Sequence, residues 1–447
     1  MPGDGVDTAV RALVEGRSVS ELADRYSEDV DFAAHLPGQT LRAGDRRSAH
    51  QGLRAWGPWA GKVSSWSVEQ FGADGSDPGG WDCQVQWLRT SDGVTMRQGH
   101  YIQTDGKERV TRHVVLPQRA AATEPPPGEP GPILAALLGA ALAREPMSGG
   151  HGGAFVERLR LSNRPSTILK YVIPGDSWHS RATKDPGREA LLFSDDTLDR
   201  LPKSIGHAVN QVESYGAGWV VVMRDVGAHL PSRPVNRDAV RAFLAALRGL
   251  HQATAGVARD YLATTADRWA LWWPRTCEQE FTGVDEQPKL AARGWDLVDS
   301  TLPADVAEIV KWIPAHEAEW VESMDTTGSC VLHGDAHFAN LAVEKDRFTM
   351  LDWGIATHGT PATEGAWLAN FTHHYAFGLE ELLDDVRDVW DMQGDLNFDR
   401  ALLALASGLL PASLVGAYDY PDPAHRREMK AKVAAWIRIV RGSLARV

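Results

Sequence analysis

The amino-acid sequence predicts an α+β chain of two domains. Residues 1–118 show helical periodicity first and strand periodicity afterwards. A proline-rich stretch, QRAAATEPPPGEPGP at 118–132, interrupts the pattern. Beyond it, a short β-rich region is followed by a long, mostly helical one. With 447 residues, 43% of them hydrophobic, the chain can bury sizeable cores without disulfides or metals.

Composition excludes several classes of protein. The formal net charge of −13 argues against nonspecific nucleic-acid binding and tolerates a cationic small-molecule partner. Cys83, Cys277 and Cys330 are scattered, which fits a reducing, cytoplasmic location and disfavours a zinc site. The N-terminus MPGDGVDTAV has no signal pattern, and the apolar run ILAALLGAALA is too short to span a bilayer, so no membrane partner is expected.

The first domain, 1–118, begins with two predicted helical patterns around 6–26, and a further helix is predicted in RSAHQGLRAWGPWAG. The segment between them, DVDFAAHLPG, is left unassigned. The period then changes to two in KVSSWSVEQF, WDCQVQWLRTSDG, VTMRQGHYIQTDG and KERVTRHVVL. SDG and TDG stand where hairpin turns belong, so these segments predict an antiparallel meander.

Residues 119–130 form a predicted semi-rigid linker, because consecutive prolines continue neither a helix nor a central strand. The second domain then covers 131–447. We expect a small β-rich lobe over about 131–227 and a helical lobe over about 228–447.

The small lobe is predicted from five successive segments. They are a helix in ILAALLGAALAREP, a glycine-rich turn and strand in MSGGHGGAFVERLRLS, a strand in STILKYVI, a helix start in REALLFSDD, and an apolar strand in GWVVVMRDVG. In the helical lobe, DAVRAFLAALRGLHQAT is strongly amphipathic. NLAVEK and RFTMLDW predict a small hairpin with polar groups at its ends.

The stretch VLHGDAHFANLAVEKDRFTMLDWG contains the candidate catalytic and metal-binding residues. Asp335 and Asn340 have the D-x-x-x-x-N spacing of a kinase catalytic loop. Phosphoryl transfer needs a carboxylate at the attacking hydroxyl, Mg²⁺ on the phosphates and a lysine that holds them. We expect Asp335 to accept the hydroxyl proton. Asn340 and Asp352 would supply the oxygen ligands that Mg²⁺ prefers.

Residues for the nucleotide precede this stretch. Lys170 lies on a predicted strand after a glycine-rich turn, where a phosphate-binding lysine belongs, and Glu189 at the next helix start could pair with it. Glycines in the turn let the backbone approach phosphate; they are Gly149, Gly150, Gly152 and Gly153. The strand end at Met223, Arg224 and Asp225 could offer backbone hydrogen bonds to adenine.

Residues 131 to about 440 resemble the aminoglycoside phosphotransferase and choline kinase superfamily, the small-molecule relatives of protein kinases. The motif that carries the resemblance is His333-Gly334-Asp335, His337, Asn340 and Asp352-Trp353. The resemblance implies a bilobal protein-kinase-like fold, ATP or GTP as donor, Mg²⁺ and a hydroxyl acceptor.

Within the motif, His333 and His337 are expected to support the loop by hydrogen bonds. Where many relatives carry Asp after the D-W strand end, this chain has Glu364 in GTPATEGAW, and we expect a structural role there.

The acceptor is left open by the sequence. In DRWALWWPR, Trp269, Trp272 and Trp273 could stack on a sugar or a cationic amine, or could pack as a helix face. An acidic helix could attract a polycation or be a solvated face; its carboxylates are Glu380, Glu381, Asp384, Asp385 and Asp388. An antibiotic, an amino sugar, a choline-like alcohol and a biosynthetic intermediate all remain candidates.

The first domain is similar to the nuclear transport factor 2 fold and its SnoaL-like members, through ELADRYSEDVDFAAHLPG and the last strand RHVVL. This resemblance implies a cone of helices and a curved sheet around a pocket. Four side chains could point into the pocket: Asp31, His35, His100 and His113. The fold is compatible with substrate capture, packing or a homodimer, and no catalysis is assigned to it.

The sequence thus predicts a cytoplasmic small-molecule kinase of antibiotic resistance or specialised metabolism. Two alternatives stay open. One is a catalytically silent nucleotide-binding regulator or scaffold, and the other is a cyclase or isomerase that acts through residues 1–118.

Overall fold

The computed structural model of the protein describes most of the chain; the described residues are 20–36, 39–52, 63–73, 80–89, 94–105, 109–119, 125–147, 154–162, 164–280, 285–324, 328–345, 347–419 and 423–447. They form two compact units. The first contains the described residues of Met1–Ala120, Pro274–Thr301 and Leu410–Ala434. The second contains those of Ala121–Trp273, Leu302–Leu409 and Ala435–Val447. Two segments of the predicted second domain therefore belong to the first unit.

The first unit is built on a six-stranded sheet; its strands are β1 (Tyr26–Leu36), β2 (Gln39–Ala43), β3 (Val63–Ala73), β4 (Gly80–Arg89), β5 (Val94–Thr104) and β6 (Val110–Arg119). Their order is β2-β1-β6-β5-β4-β3, and all neighbours are antiparallel except β1 and β6. The run from β3 to β6 is the meander that the alternating pattern predicts. Helices of this unit lie at Ser20–Ala23, 46–52, Pro274–Gln279 and Glu286–Thr301.

One assignment in this unit differs from the sequence prediction. The described helix ends at Ala23, and residues 29–36 of DVDFAAHLPG, left unassigned, belong to strand β1. Phe32 and Ala34, two residues apart, are buried on one face of β1, as the period of a strand requires. Residues 6–19 lie outside the described residues. The likeness to the nuclear transport factor 2 fold remains a prediction.

The second unit begins with a five-stranded antiparallel sheet; its strands are β7 (Ala141–Pro146), β8 (Val156–Leu161), β9 (Thr167–Val172), β11 (Val209–Tyr215) and β12 (Gly218–Arg224). Their order is β11-β12-β9-β8-β7. The predicted helix ILAALLGAALAREP is wrong in its second half. The helix ends at Ala140, and the chain continues as β7, because Arg144 makes a bidentate ion pair with buried Glu157 on β8.

A helical part follows the sheet, with helices at Trp178–Ala182, Arg188–Ser194, Arg237–Ala253, Thr265–Trp269, Ala304–Ala315, Glu317–Ser323, Pro361–Leu368, Leu379–Trp390, Leu396–Leu414 and Pro423–Leu444. Residues 410–414 and 423–434 of the last two helices belong to the first unit. Its short strands are β10 (Ile205–His207), β13 (Ala263–Thr264), β14 (Cys330–Leu332), β15 (Leu341–Glu344), β16 (Arg347–Met350) and β17 (Thr357–Gly359). β15 and β16 form the predicted hairpin. This succession of a β-rich and a helical part agrees with the predicted bilobal fold.

The amphipathic helix Arg237–Ala253 supports the hairpin region. Asn236 caps it by accepting a hydrogen bond from the backbone N–H of Ala239 at 2.9 Å. Its buried face packs the ring of Phe243 at 5.2 Å from the ring of Phe338. Since Phe338 lies between Asp335 and Asn340 in the chain, this helix helps to fix the loop that carries both.

One helical stretch of the described residues, Leu396–Tyr418, is long and apolar enough to cross a membrane, with a mean hydropathy of 1.7. However, 89% of its most apolar window is buried inside the structure. This burial is what a core helix shows.

Candidate active site

The predicted catalytic loop starts where β14 ends. Gly334 has φ of +80°, a region that residues with a Cβ rarely adopt. A Cβ placed there would lie 1.9 Å from the carbonyl oxygen of Ile355. The loop therefore requires glycine before Asp335, both for its turn and for its close approach to the neighbouring backbone.

Three groups surround the carboxylate of Asp335. Nδ2 of Asn340 donates to Oδ2 at 2.9 Å, and Nε1 of Trp367 donates to Oδ1 at 2.9 Å. Nε2 of His337 lies 3.5 Å from Oδ2. Burial alone would raise the pKa of Asp335, but the contact with His337 and the nearby charge of Arg268 hold the pKa well below its usual range. Asp335 is therefore ionised at neutral pH.

The two histidines of the motif make contacts inside the loop region. His333 is fully buried, and its Nε2 donates to the carbonyl oxygen of Leu351 at 2.9 Å. Burial lowers the pKa of His333, so its ring stays neutral. Nδ1 of His337 accepts a hydrogen bond from the backbone N–H of Ala339 at 3.1 Å. These are the bonds that the predicted supporting role requires.

Lys170 lies between two carboxylates. Its Nζ is 2.6 Å from Oε2 of Glu189 and 2.7 Å from Oδ1 of Asp352. The strand period turns Ile168 and Lys170 to one face of β9, which packs against the helix that carries Glu189. Burial would lower the pKa of Lys170, but Asp352 and Glu189 raise it, so the ammonium group is charged.

Asp352 combines exposure with an unusual backbone. Its φ of +62° places it in the left-handed region, which costs a residue with a Cβ free energy. Its side chain is 51% exposed. The charge of Lys170 lowers the pKa of Asp352, which keeps the carboxylate ionised.

The donor set of Asn340 and Asp352 fits Mg²⁺. Asn340 uses its Nδ2 for Asp335, which leaves the carbonyl Oδ1 as its acceptor atom. With the exposed carboxylate of Asp352, this gives two hard oxygen ligands. Within the residues that the structure describes, no three His, Cys, Asp or Glu side chains could hold a metal ion. Mg²⁺ commonly needs few protein ligands, because phosphates and water complete its shell.

Only some of the other residues predicted to bind the nucleotide lie within the described residues. Met223 is buried in β12 and pairs with Ile168 of β9. The carboxylate of Asp225 accepts hydrogen bonds from Nε of Arg158 at 2.7 Å and from the backbone N–H of Gly227 at 3.0 Å. The turn with Gly149, Gly150, Gly152 and Gly153 lies outside the described residues.

Glu364 is buried directly behind the loop. Oε1 accepts a hydrogen bond from the backbone N–H of Gly334 at 2.9 Å, and Oε2 lies 2.9 Å from Nε2 of His251. Burial would raise the pKa of Glu364, but the bond to His251 lowers it below the usual range. The glutamate at this position thus contacts the loop backbone, which agrees with the expected structural role.

Sequence reasoning missed Arg268 and Trp367. Arg268 donates through Nε to the carbonyl oxygen of Gly334 at 2.9 Å, and its guanidinium lies 3.5 Å from the ring centroid of Trp367. Burial lowers the pKa of Arg268 to about 10. A signal for Trp367 existed, because it follows Glu364 by three residues and so shares its helix face.

The three tryptophans proposed for acceptor binding are packed side chains. Trp269, Trp272 and Trp273 are 3%, 9% and 0% exposed. Nε1 of Trp273 donates to Oγ of Ser407 at 2.8 Å. This arrangement favours the packed helix face over an open stacking platform.

The acidic helix Leu379–Trp390 is balanced by arginines. Asp385 is buried and accepts hydrogen bonds from Arg237 and Arg241. Each of the other carboxylates also faces an arginine: Glu380 with Arg438, Glu381 with Arg237, Asp384 with Arg387 and Asp388 with Arg241. The helix therefore does not present a field of uncompensated negative charge.

In the first unit, two predicted pocket residues form a buried chain with a tyrosine. The hydroxyl of Tyr26 lies 2.7 Å from Nδ1 of His113, and Nε2 of His113 lies 3.1 Å from Nδ1 of His100. Asp31 is exposed and pairs with Arg112 at 3.2 Å. The side chain of His35 lies outside the described residues.

Comparison with protein families decides the class of protein. Residues 183–409, which are 227 of the 447 residues, match the model of the phosphotransferase enzyme family, APH. The chain belongs to the phosphotransferase enzyme family. This assignment confirms the predicted phosphotransferase activity and the predicted relatives, and the match includes the loop from His333 to Trp353. No curated protein sequence matches the chain.

Structural comparison matches this chain to solved phosphotransferases, at low sequence identity and with TM-scores below 0.5. The amicoumacin kinase hAmiN, solved with AMP-PNP, Ca²⁺ and Ami, is 12% identical, with a TM-score of 0.40 over 66% of this chain and 87% of that one. Aminoglycoside phosphotransferase APH(4)-Ia, solved with ADP and hygromycin B, is 12% identical, with a TM-score of 0.42 over 69% and 97%. A choline/ethanolamine kinase family protein from Mesorhizobium loti is 14% identical, with a TM-score of 0.40 over 70% and 94%.

Proposed function

We propose that this phosphotransferase transfers the γ-phosphoryl group of ATP to a hydroxyl group of a small molecule, with Mg²⁺. The observation that carries the proposal is the carboxylate of Asp335, which two N–H donors hold at 2.9 Å each. Phosphoryl transfer also needs metal ligands and a lysine for the phosphates. Asn340 and Asp352 are the proposed metal ligands, and Lys170, which pairs with Asp352, is the proposed lysine.

In the proposed reaction, the acceptor oxygen forms a bond to the γ-phosphorus while the bond from phosphorus to the β,γ-bridging oxygen breaks. ADP leaves with that oxygen, and the hydroxyl proton passes to the carboxylate of Asp335. Lys170, oriented by Glu189, holds the α- and β-phosphates. When bound, Mg²⁺ supplies charge that neutralises the phosphates; Asn340 and Asp352 would hold it.

Adenine contacts by the backbone from Met223 to Asp225 and phosphate contacts by Gly150, Gly152 and Gly153 stay part of the proposal. GTP as donor, a cytoplasmic location and a homodimer through residues 1–118 also stay predictions. Each is independent of the chemistry at Asp335.

The acceptor class is a separate question. The indoles from Trp269 to Trp273 are packed, and the carboxylates of the acidic helix face arginines. Neither feature therefore favours a polycation over a neutral alcohol. The test panel should include hygromycin B, spectinomycin, gentamicin, amino sugars, choline and ethanolamine, since phosphotransferases of similar fold are described with several of these.

The deciding experiment measures ADP release from Mg-ATP across this panel, for the wild type and for Asp335→Ala. We expect release that depends on one acceptor class and is lost in the variant, while nucleotide binding is retained. Asp238→Ala, an exposed carboxylate at the start of a helix, serves as the control and should keep full turnover. Full turnover in Asp335→Ala would contradict the mechanism. Nucleotide binding without any release would favour the regulator or scaffold.

A further inference from the structure

We infer that Trp367 is a positioning residue that orients the proton acceptor Asp335. This inference rests on the proposed function of Asp335. The two residues are 32 positions apart in the chain, and Nε1 of Trp367 donates to Oδ1 of Asp335 at 2.9 Å. The indole is 6% exposed, so the hydrogen bond is shielded from water and is worth more than one at the surface.

The indole ring is held on two sides. The guanidinium of Arg268 lies 3.5 Å from its ring centroid, and the ring of Trp272 stacks on it at 5.5 Å with an interplanar angle of 22°. Arg268 also donates to the carbonyl oxygen of Gly334, the residue before Asp335. One assembly thus fixes the backbone of the loop and, through Trp367, the carboxylate that the loop carries.

Two donors then define the plane of the carboxylate. Asn340 holds Oδ2 and Trp367 holds Oδ1, so rotation of the Asp335 side chain would break both hydrogen bonds. A neutral indole fixes this oxygen without adding a charge beside the carboxylate.

The test is Trp367→Phe, which removes the N–H and keeps an aromatic ring. A hydrogen bond to a charged group is worth enough that kcat should fall roughly 10- to 100-fold. The KM for Mg-ATP should stay unchanged, since the indole N–H donates to Asp335 and not to the proposed nucleotide and metal ligands Lys170 and Asp352. Turnover is measured as ADP release from Mg-ATP, both with water as the acceptor and with the acceptor that the panel identifies.

The matched control is Trp390→Phe. Trp390 is also 6% exposed, and its Nε1 donates to the carbonyl oxygen of Leu244 at 2.7 Å. This variant loses a comparable buried hydrogen bond away from Asp335, and its kcat should change less than 3-fold. An equal loss of kcat in both tryptophan variants would show that disturbed packing, and not the lost bond to Asp335, lowers kcat. That result would overturn the inference.

A double variant separates positioning from general damage. In the Asp335→Ala background, Trp367→Phe should have almost no further effect on residual ADP release, because its partner is gone. The same fold loss in both backgrounds, or full kcat in folded Trp367→Phe, would refute the role. Full turnover of Asp335→Ala itself would instead refute the proposed function. Should the Phe variant not fold, Trp367→Leu, which also lacks a ring N–H, is tested in the same two backgrounds and decides in the same way.

Discussion

The ammonium group of Lys170 lies 2.7 Å from Oδ1 of Asp352, although 182 residues separate them in the chain. The first belongs to the β-rich part and the second to the loop after β16. The proposed phosphate anchor and the proposed metal ligand therefore neutralise each other's charge. Asp352 would be the ligand for Mg²⁺, while Glu189, whose side chain is only 1% exposed, would remain the partner of the lysine.

Replacing Lys170 by Met should abolish this arrangement. Two carboxylates would remain without their cation, and the phosphates would lose their anchor. We expect turnover to fall at least about 100-fold with a raised KM for Mg-ATP, measured by ADP release. The control is Lys203→Met, at an exposed position. A variant of Lys170 that keeps the KM of the wild type would show that the lysine does not hold phosphate.

Asp352→Ala should act on the metal. We expect the variant to bind nucleotide with the same weak affinity whether Mg²⁺ is present or absent, because it lacks the exposed carboxylate ligand. Asp335→Ala should retain the Mg²⁺-dependent gain in affinity. Calorimetric titration of ATP with Mg²⁺ and with EDTA measures the difference. If Asp352→Ala still gains affinity from Mg²⁺, the metal is held elsewhere.

Much of the site could be predicted because it lies in continuous motifs. A polar spacing of five residues marks Asp335 and Asn340, and a strand pattern marks Lys170. The contacts of Arg268 and Trp367 could not be predicted in this way, since their partners lie 66 and 32 residues away. Such contacts come from tertiary packing, which one sequence does not encode as a local pattern.

The fold shows the same limit. The apolar run before Pro146 has a helical composition, yet its second half forms β7, because pairing with β8 and the ion pair of Arg144 with Glu157 outweigh propensity. The acidic helix was equally ambiguous. Its carboxylates are conspicuous in the sequence, whereas the arginines that face them come from distant segments.

Ionisation of Glu364 should make the free energy of unfolding depend on pH in the acidic range. Its pKa is lower in the folded chain than in the unfolded chain, so its contribution is complete above the ordinary glutamate pKa and is lost as the pH falls below it. Glu364→Gln should cost about 3 kcal/mol of unfolding free energy at pH 7, since it breaks a buried charged contact. It should also make the second unit less sensitive to pH below about 4.5.

Urea unfolding at pH 7 and at pH 4 measures both effects on Glu364→Gln. Glu319→Gln, at an exposed helix position, is the control and should leave the unfolding free energy unchanged at each pH. If Glu364→Gln kept the wild-type stability at pH 7, the contacts with Gly334 and His251 would not hold the loop.

The buried histidines should make the first unit sensitive to acid over a different range. Burial lowers the pKa of His100 to about 4 and holds that of His113 well below its usual value. Because the unfolded chain binds these protons first, stability is complete above about pH 6.5 and is lost as the pH falls toward 4. The shifted pKa of His100 alone should lower the free energy of unfolding by about 2 kcal/mol between pH 7 and pH 5.

Thermal unfolding at pH 7 and at pH 5 measures this loss. His100→Gln should reduce the loss, whereas His229→Gln, at an exposed position, should not. An equal loss in both variants would place the acid sensitivity outside the chain of Tyr26, His113 and His100.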